Sequence, residues 1–329
     1  MKKFTDIGQF RNVVRAVKSH HDYVGKDEND SPIYRHETPY PTLKFRGTVK
    51  LHGTNAAIVK YKDGHYEYQS RERELSIGSD NSCFMLNMLN FDIDKLFEDI
   101  EFTESCGIYG EWAGQGIQSG TAISTLPKMW VIFAVKIDDV YQDTFNYQHL
   151  RNEDQRIFNI FQFPNYELEI DFNKPEEAQN KLIEYTQEVE KECPVGKYFG
   201  VEGVGEGVVW EHIDEKLRYI FKVKGEKHQN SKVKKLTTID VEAVNTIKEF
   251  VEYAVTENRM AQGIDKMKEL CVPLEMPSTG TYLRWVYNDV LKEEQDTIIK
   301  NGIDPKKLGS FISKKAREYW MKYLDSLEY

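Results

Sequence analysis

Lys50 opens the run Lys50-Leu51-His52-Gly53-Thr54-Asn55, directly ahead of two strand-like runs, Ala56–Tyr61 and Tyr66–Ser70. Asp63-Gly64 at the centre of their connection predicts a two-residue hairpin turn. Such a turn sets Ala56 opposite Arg71 and Thr54 opposite Arg73. One or two arginines then arrive at the strand end where the Lys50 loop sits. An amine nucleophile with a guanidinium beside it is a sensible phosphate site. Alone, a lysine before Gly-Thr reads as an ordinary surface lysine ahead of a turn. Lys222 and Lys224 add two further cations whose period of two puts them on one face of a strand, either as a phosphate-facing pair or as the solvent face of an edge strand. Glu206 lies in the glycine-rich turn Gly203–Gly207, Glu111 near a strand end, and Phe133 in an apolar run where an aromatic is ordinarily core.

The elements that must position these residues are strands first and helices after. Strand-like runs recur at Ala56–Tyr61, Tyr66–Ser70, Gly107–Trp112, Met129–Ile137, Gly207–Glu211 and Tyr219–Val223, with acidic helix-like stretches such as Pro175–Cys193 between them. From Leu43 to about Val223 this is the texture of an α+β domain. His20–Pro41, polar and rich in proline, reads as a long exposed loop. After Lys235 the period changes. Val244, Ile247, Phe250, Val251 and Ala254 fall at helical spacing behind Asp240 as a candidate N-cap, Tyr282–Lys292 is a further helix candidate, and Leu308, Phe311, Ile312, Ala316, Tyr319, Trp320 and Tyr323 repeat the pattern behind Pro305. Two domains are therefore expected, 1–235 and 236–329, divided after the lysine-rich stretch Lys222–Lys235.

Composition narrows the functions. The 329 residues include 40% hydrophobic residues, enough for a sizeable core in each domain. The net charge of −10 argues against a general nucleic-acid coat but leaves room for a local basic cleft. Cys83, Cys106, Cys193 and Cys271 form no CxxC pair and read as reduced thiols of a cytoplasmic protein. The start MKKFTDIGQF has no apolar signal core, and the apolar run Met129–Val135 is too short to span a bilayer, so no membrane partner is expected. The sequence has no GxxxxGK[ST] and no GxGxxG in Gly114–Gly120, which excludes P-loop and Rossmann readings, and the eight histidines show no zinc-type spacing.

Taken in order, the motifs resemble those of covalent nucleotidyltransferases. Lys50–Asn55 resembles the KxHGTN form of motif I found in the RNA ligase 2 family of phage and RNA-editing ligases. Ser70-Arg71-Glu72-Arg73 resembles motif Ia, Tyr109–Gly114 motif III, Val131–Val135 motif IIIa, Glu206–Val209 motif IV and Phe221–Lys224 motif V. Val255–Met260 and Leu308–Ile312 resemble the family's helical C-terminal domain. The resemblance implies an antiparallel-sheet nucleotidyltransferase (ATP-grasp-like ligase) domain followed by a small all-α domain. It also implies an ATP-dependent RNA ligase that joins a 5′-phosphate to a 3′-hydroxyl through lysyl-AMP and RNA-adenylate, with nicked double-stranded RNA as the expected substrate.

The same resemblance assigns roles. Lys50 is the nucleophile. Lys222 and Lys224 are catalytic cations that hold the α-phosphate and favour the neutral amine. Glu206 is associated with magnesium, Glu111 holds a ribose hydroxyl and Phe133 stacks on adenine. Arg71, with Arg73 as the competing choice, contacts phosphate or the RNA end, and Asn55 contributes to end joining. A free lysine has a pKa of about 10.4, so the amine must shed a proton before it attacks. The implied setting is a monomer acting on RNA in RNA repair or editing, in the cytoplasm, or the host's if the source is viral. Two alternatives stay open. Capping guanylyltransferases and DNA ligases share the chemistry but usually carry Asp where His52 stands and a β-rich C-terminal domain; a silent RNA-binding module could have kept the fold without Lys50 chemistry.

Overall fold

The computed structural model describes residues 1–36, 38–214, 217–228 and 247–327. They form two compact units, Met1–Gly225 and Glu226–Tyr329. The expected boundary near Lys235, Asp240, Val244 and the second half of the lysine-rich stretch lie outside the described residues.

The first unit begins with helix α1 (Phe10–Asp22) and a two-stranded ribbon, β1 (Tyr23–Lys26) and β2 (Pro32–Tyr34). His20–Pro41 is thus not the loop expected. Its first residues finish a helix, and Asp27 makes the ribbon turn by accepting hydrogen bonds from the backbone N–H of Asn29 and Ser31 at 2.8 and 2.9 Å. Strands β3 (Thr42–Lys50), β4 (Thr54–Tyr61) and β5 (Tyr66–Ser70) follow, then helix α2 (Phe84–Met88). Next come β6 (Ser105–Ala113), β7 (Met129–Ile137), β8 (Val140–Gln142), β9 (Ile157–Asn159) and β10 (Asn165–Asp171). Helices α3 (Gln179–Lys191) and α4 (Pro194–Tyr198) precede β11 (Gly207–Ile213) and β12 (Arg218–Lys224).

Two sheets result. One has the order β10-β3-β11-β12, all antiparallel; the other runs β5-β4-β6-β7-β8, antiparallel, with β9 added parallel to β7. In the first sheet, burial alternates along β12 and the second half of β3. Phe45, Val49, Tyr219, Phe221 and Val223 turn inward, where Phe10 of α1 packs on Phe221 at 4.9 Å between ring centroids. The opposite face therefore carries Arg46, Thr48 and Lys50 from β3 and Arg218, Ile220, Lys222 and Lys224 from β12. In the second sheet, Ala56, Ile58, Ile108, Trp112, Trp130 and Ile132 pack with Phe84 and Met88 into a core on one side, while Ala57, Tyr109 and Ala134 cluster with Phe4 on the other.

The β4–β5 hairpin differs from expectation by one residue. Ala56 pairs with Ser70 and Ile58 with Tyr68, because the loop holds Lys62, Asp63 and Gly64 rather than two residues. Gly64 takes φ +88°, the left-handed third position of a three-residue turn. Arg71 and Arg73 consequently lie beyond the strand pairing instead of opposite Ala56 and Thr54.

The second unit is helical: α5 (Ile247–Ala254), α6 (Glu257–Glu269), α7 (Thr279–Glu293), α8 (Gln295–Lys300) and α9 (Pro305–Asp325). Asp304 caps α9 and Thr256 caps α6. The apolar positions Phe250, Val286, Ile312 and Trp320 are fully buried. Among them lies Arg259, also fully buried, bonded to Asp289 at 2.8 Å, to Glu294 at 3.4 Å and to the Ala254 carbonyl.

Candidate active site

Lys50 is the last residue of β3, and the pairing sets it at one end of a row of three whose centre is Gly207. Gly207, first in β11, pairs with Lys50 on one side and with Lys224 on the other. Glu206, one residue earlier, is therefore held between two lysines. Lys50 Nζ donates to Glu206 Oε2 at 2.7 Å, and Lys224 Nζ lies 2.9 Å from Oε1. His52 Nδ1 approaches Oε2 to 3.3 Å. Glycine is required at 207. Its φ is +149°, and a Cβ there would stand 2.1 Å from the Val223 carbonyl oxygen.

The electrostatics follow from burial. Glu206 is only 2% exposed, and burial alone would raise its pKa, but Lys224, Lys50 and His52 together hold it well below the usual carboxylate range. Burial pushes Lys224 down to about 8; Glu206 opposes this, and the neighbouring charges of Lys50 and Lys222 reinforce it. The three lysines thus form one electrostatic group around one carboxylate. Lys222 shares the face of Lys224, and its backbone N–H donates to the Gly8 carbonyl at 3.0 Å.

From Lys50 the chain passes through Leu51-His52-Gly53 to the second sheet. Gly53 N–H donates to Glu111 Oε1 at 2.9 Å, and a Cβ on Gly53 would meet the Trp112 carbonyl oxygen at 2.4 Å. The lysine loop is therefore pressed against β6. Burial raises the Glu111 carboxyl to about 7, Lys50 pulling it down and the Glu206 charge pushing it up. Asn55 is paired with Glu111 across β4 and β6, on the face that also carries Ala57 and Tyr109.

Phe133 stands at a bulge. Tyr109 pairs with Ala134 and Gly110 with Ile132, so Phe133 is the extra residue of β7. It is half-buried, with the Phe4 ring edge-on at 5.1 Å. The two competing arginines are separated. Arg71 Nη2 donates to Asp6 Oδ1 at 2.7 Å. Arg73 instead holds the backbone of Ser79 and Asp80, in the loop whose Asn81 Nδ2 donates to Thr54 Oγ1 at 2.9 Å. Direct contacts thus bring Lys50, Glu206 and Lys224 together, with Glu111 joined through Gly53.

Reasoning from sequence omitted His52, Asp6 and Asn81 as site residues. Only His52 carried a signal, its position two residues beyond the proposed nucleophile. Among the described residues no group of three or more His, Cys, Asp or Glu side chains could hold a metal ion. A divalent cation here would rest on Glu206 together with substrate phosphates and water, the habit of magnesium at nucleotide sites.

Lys50 and Lys224 closed on the buried Glu206 make up the site's central group, and sequence comparison supplies the family. The family description "RNA ligase" matches residues 43–224, and the chain belongs to that family. No curated protein matches it. Among solved structures, it is similar to Naegleria gruberi RNA ligase with pyrophosphate, at 16% identity and a TM-score of 0.44, covering 68% of this chain and 56% of that one. A variant of that ligase with AMP and manganese matches at 17% identity and a TM-score of 0.45, covering 69% and 56%. Another with ATP and manganese matches at 16% and 0.43, covering 66% and 55%. The chain spans just over half the length of these relatives. No helix among the described residues is long and apolar enough to cross a membrane.

Proposed function

We propose that this chain is an ATP-dependent RNA ligase that seals 5′-phosphate and 3′-hydroxyl RNA ends, with nicked duplex RNA as its substrate and a monomer as its working form. The observation that carries the reading is the Lys50–Glu206–Lys224 group, in a chain of the RNA ligase family. Lys50 Nζ, after losing a proton, attacks the α-phosphorus of ATP. A P–N bond forms, the α–β phosphoanhydride breaks and pyrophosphate leaves. The RNA 5′-phosphate then takes AMP from Lys50, and the 3′-hydroxyl displaces AMP to form the phosphodiester.

Lys222 and Lys224 stand on the face beside Lys50, placed to stabilise charge on the α-phosphate as it develops. The Lys50 amine donates to Glu206 before the reaction, so the carboxylate orients the nucleophile. Glu111 and Asn55, side by side on the facing sheet, would take the ribose and the joining end, and Phe133 the adenine face. Magnesium, with Glu206 as its protein ligand, would neutralise phosphate charge.

The test is incubation with ATP labelled at the α-phosphate and magnesium, without RNA, for the parent and Lys50→Ala. Label is expected on the parent and absent from the variant. Absence of label from both overturns the reading in favour of RNA binding without chemistry.

A further inference from the structure

Residues 4–8 tie the two sheets together. Thr5 N–H donates to the Tyr141 hydroxyl of β8 at 2.9 Å, Phe4 packs on Phe133 and Tyr141, and the Gly8 carbonyl accepts from Lys222 N–H of β12. Between these anchors Asp6 accepts a hydrogen bond from Arg71 Nη2 at 2.7 Å, and the same nitrogen lies 3.5 Å from the Thr5 carbonyl oxygen. A cavity of about 470 Å³ opens beside the pair, and its lining includes the cations Lys3, Arg71 and Lys136, the acids Asp6 and Glu72, and Tyr141.

We infer that Asp6 is a built-in competitor at Arg71, a carboxylate on the guanidinium edge that an incoming phosphate must displace. The inference rests on the ligase reading for the identity of the phosphate carrier.

Three observations carry it. A guanidinium edge accepts a carboxylate or a phosphate with the same geometry, so the Asp6–Arg71 contact shows where an anion binds. The pair is open: the side chains of Asp6 and Arg71 are 60% and 31% exposed, and such pairs are weak enough to exchange for a ligand of higher charge. Lys3 and Lys136 add positive charge to the same lining. Each has an acidic partner, Glu72 at 3.0 Å and Asp139 at 3.1 Å, so the resting cavity carries its own counter-anions. Location then links the subsite to chemistry. Asp6 is two residues from Gly8, about 7 Å of chain at most, and Gly8 is hydrogen-bonded to the strand that bears Lys222 and Lys224.

The phosphate could be the 5′-terminal group of RNA, an internal phosphodiester or part of ATP, and three probes separate them. Binding of a 5′-phosphorylated RNA oligonucleotide and of its 5′-hydroxyl form is measured on the full chain without nucleotide. The ATP dependence of Lys50 labelling is measured separately. Asp6→Asn and Asp6→Ala are expected to tighten one or more of the three by about two- to five-fold, the range an exposed ion pair supports. Arg71→Ala weakens the same probe, and Asp6→Asn combined with Arg71→Ala matches Arg71→Ala alone.

Unchanged or weaker binding of all three probes in both Asp6 variants overturns the inference. So does a double variant that still binds more tightly than Arg71→Ala, because Asp6 would then act without Arg71. Failure of the ligase reading is seen separately, as absence of label on Lys50, and leaves the RNA measurements valid.

Discussion

Glu111→Gln tests whether the ground state of the site is electrostatically costly. Burial lifts the Glu111 carboxyl from its ordinary 4.5 to about 7. The folded protein therefore keeps a proton that the unfolded chain sheds between about pH 4.5 and 7. Stability must fall as pH rises across that window, and above it the ionised carboxylate carries the full penalty. At 1.36 kcal/mol per pKa unit the shift is worth about 3 kcal/mol at most, and partial solvent access reduces it to about 2 kcal/mol. Glutamine keeps an oxygen to accept from Gly53 N–H but cannot ionise. The variant should match the parent at pH 4.5 and below and be more stable by about 2 kcal/mol at pH 8. For a unit of this size that is roughly 6 °C in melting temperature. Thermal unfolding of both proteins from pH 4.5 to 8.5 measures the difference. Equal pH slopes for the two proteins, or a variant less stable throughout, would refute the assignment of burial as the governing cause. The same variant should label poorly with ATP if Glu111 holds the nucleotide, giving a gain in stability alongside a loss of activity.

Three further outcomes are expected. Glu206→Gln leaves Lys50 and Lys224 without their carboxylate and should cost about 3 kcal/mol near neutral pH. Because the Glu206 pKa is depressed, the parent's advantage is present above about pH 4.5 and fades on acidification, which urea unfolding at pH 7 and pH 3.5 would show. Gly53→Ala drives a methyl into the Trp112 carbonyl, so it should destabilise the first unit by about 1–3 kcal/mol and abolish Lys50 labelling, read by melting and by autoradiography. Arg259→Met strands the fully buried Glu294 in the helical core and should lower stability by about 3–5 kcal/mol in denaturant unfolding, whereas exposed Lys322→Met stays within about 0.5 kcal/mol.

Much of the site was legible because it is local. Lys222 and Lys224 share a strand, and strand period alone puts that pair on a common side. Met129–Ile137 and Tyr66–Ser70 were readable as strands from their composition. β3 and β10 were missed because Thr42–Lys50 mixes lysine, arginine and glycine with few apolar residues, and Asn165–Asp171 alternates acids on an open edge. Their strand character comes from pairing with each other and with β11, which no window of sequence displays. The hairpin register failed for a smaller reason. Asp-Gly fits both a two-residue turn and the end of a three-residue one, and the choice moves Arg71 out of register with Ala56.

The contacts that matter most for chemistry are the least local. Glu206 lies 156 residues from Lys50, yet the two are 2.7 Å apart because Gly207 pairs with both flanking strands. The lack of a side chain at Gly207 lets β11 begin where β3 and β12 end, and this places Glu206 between their terminal lysines. A carboxylate set there offsets part of the charge of two amines and holds together a cluster that would otherwise repel itself. On the proposed ligase reading, an entering polyphosphate would take over from Glu206 as the partner of Lys224 and leave Lys50 aimed at phosphorus. On this account Glu206 acts before the bond-making step as a placeholder for the substrate's charge. Asp6 on Arg71 repeats the device at the cavity beside residues 4–8. Both carboxylates hold cations in place, but Glu206 is buried and Asp6 is open. On the two proposals, buried Glu206 would govern stability and attack geometry, whereas exposed Asp6 would govern affinity.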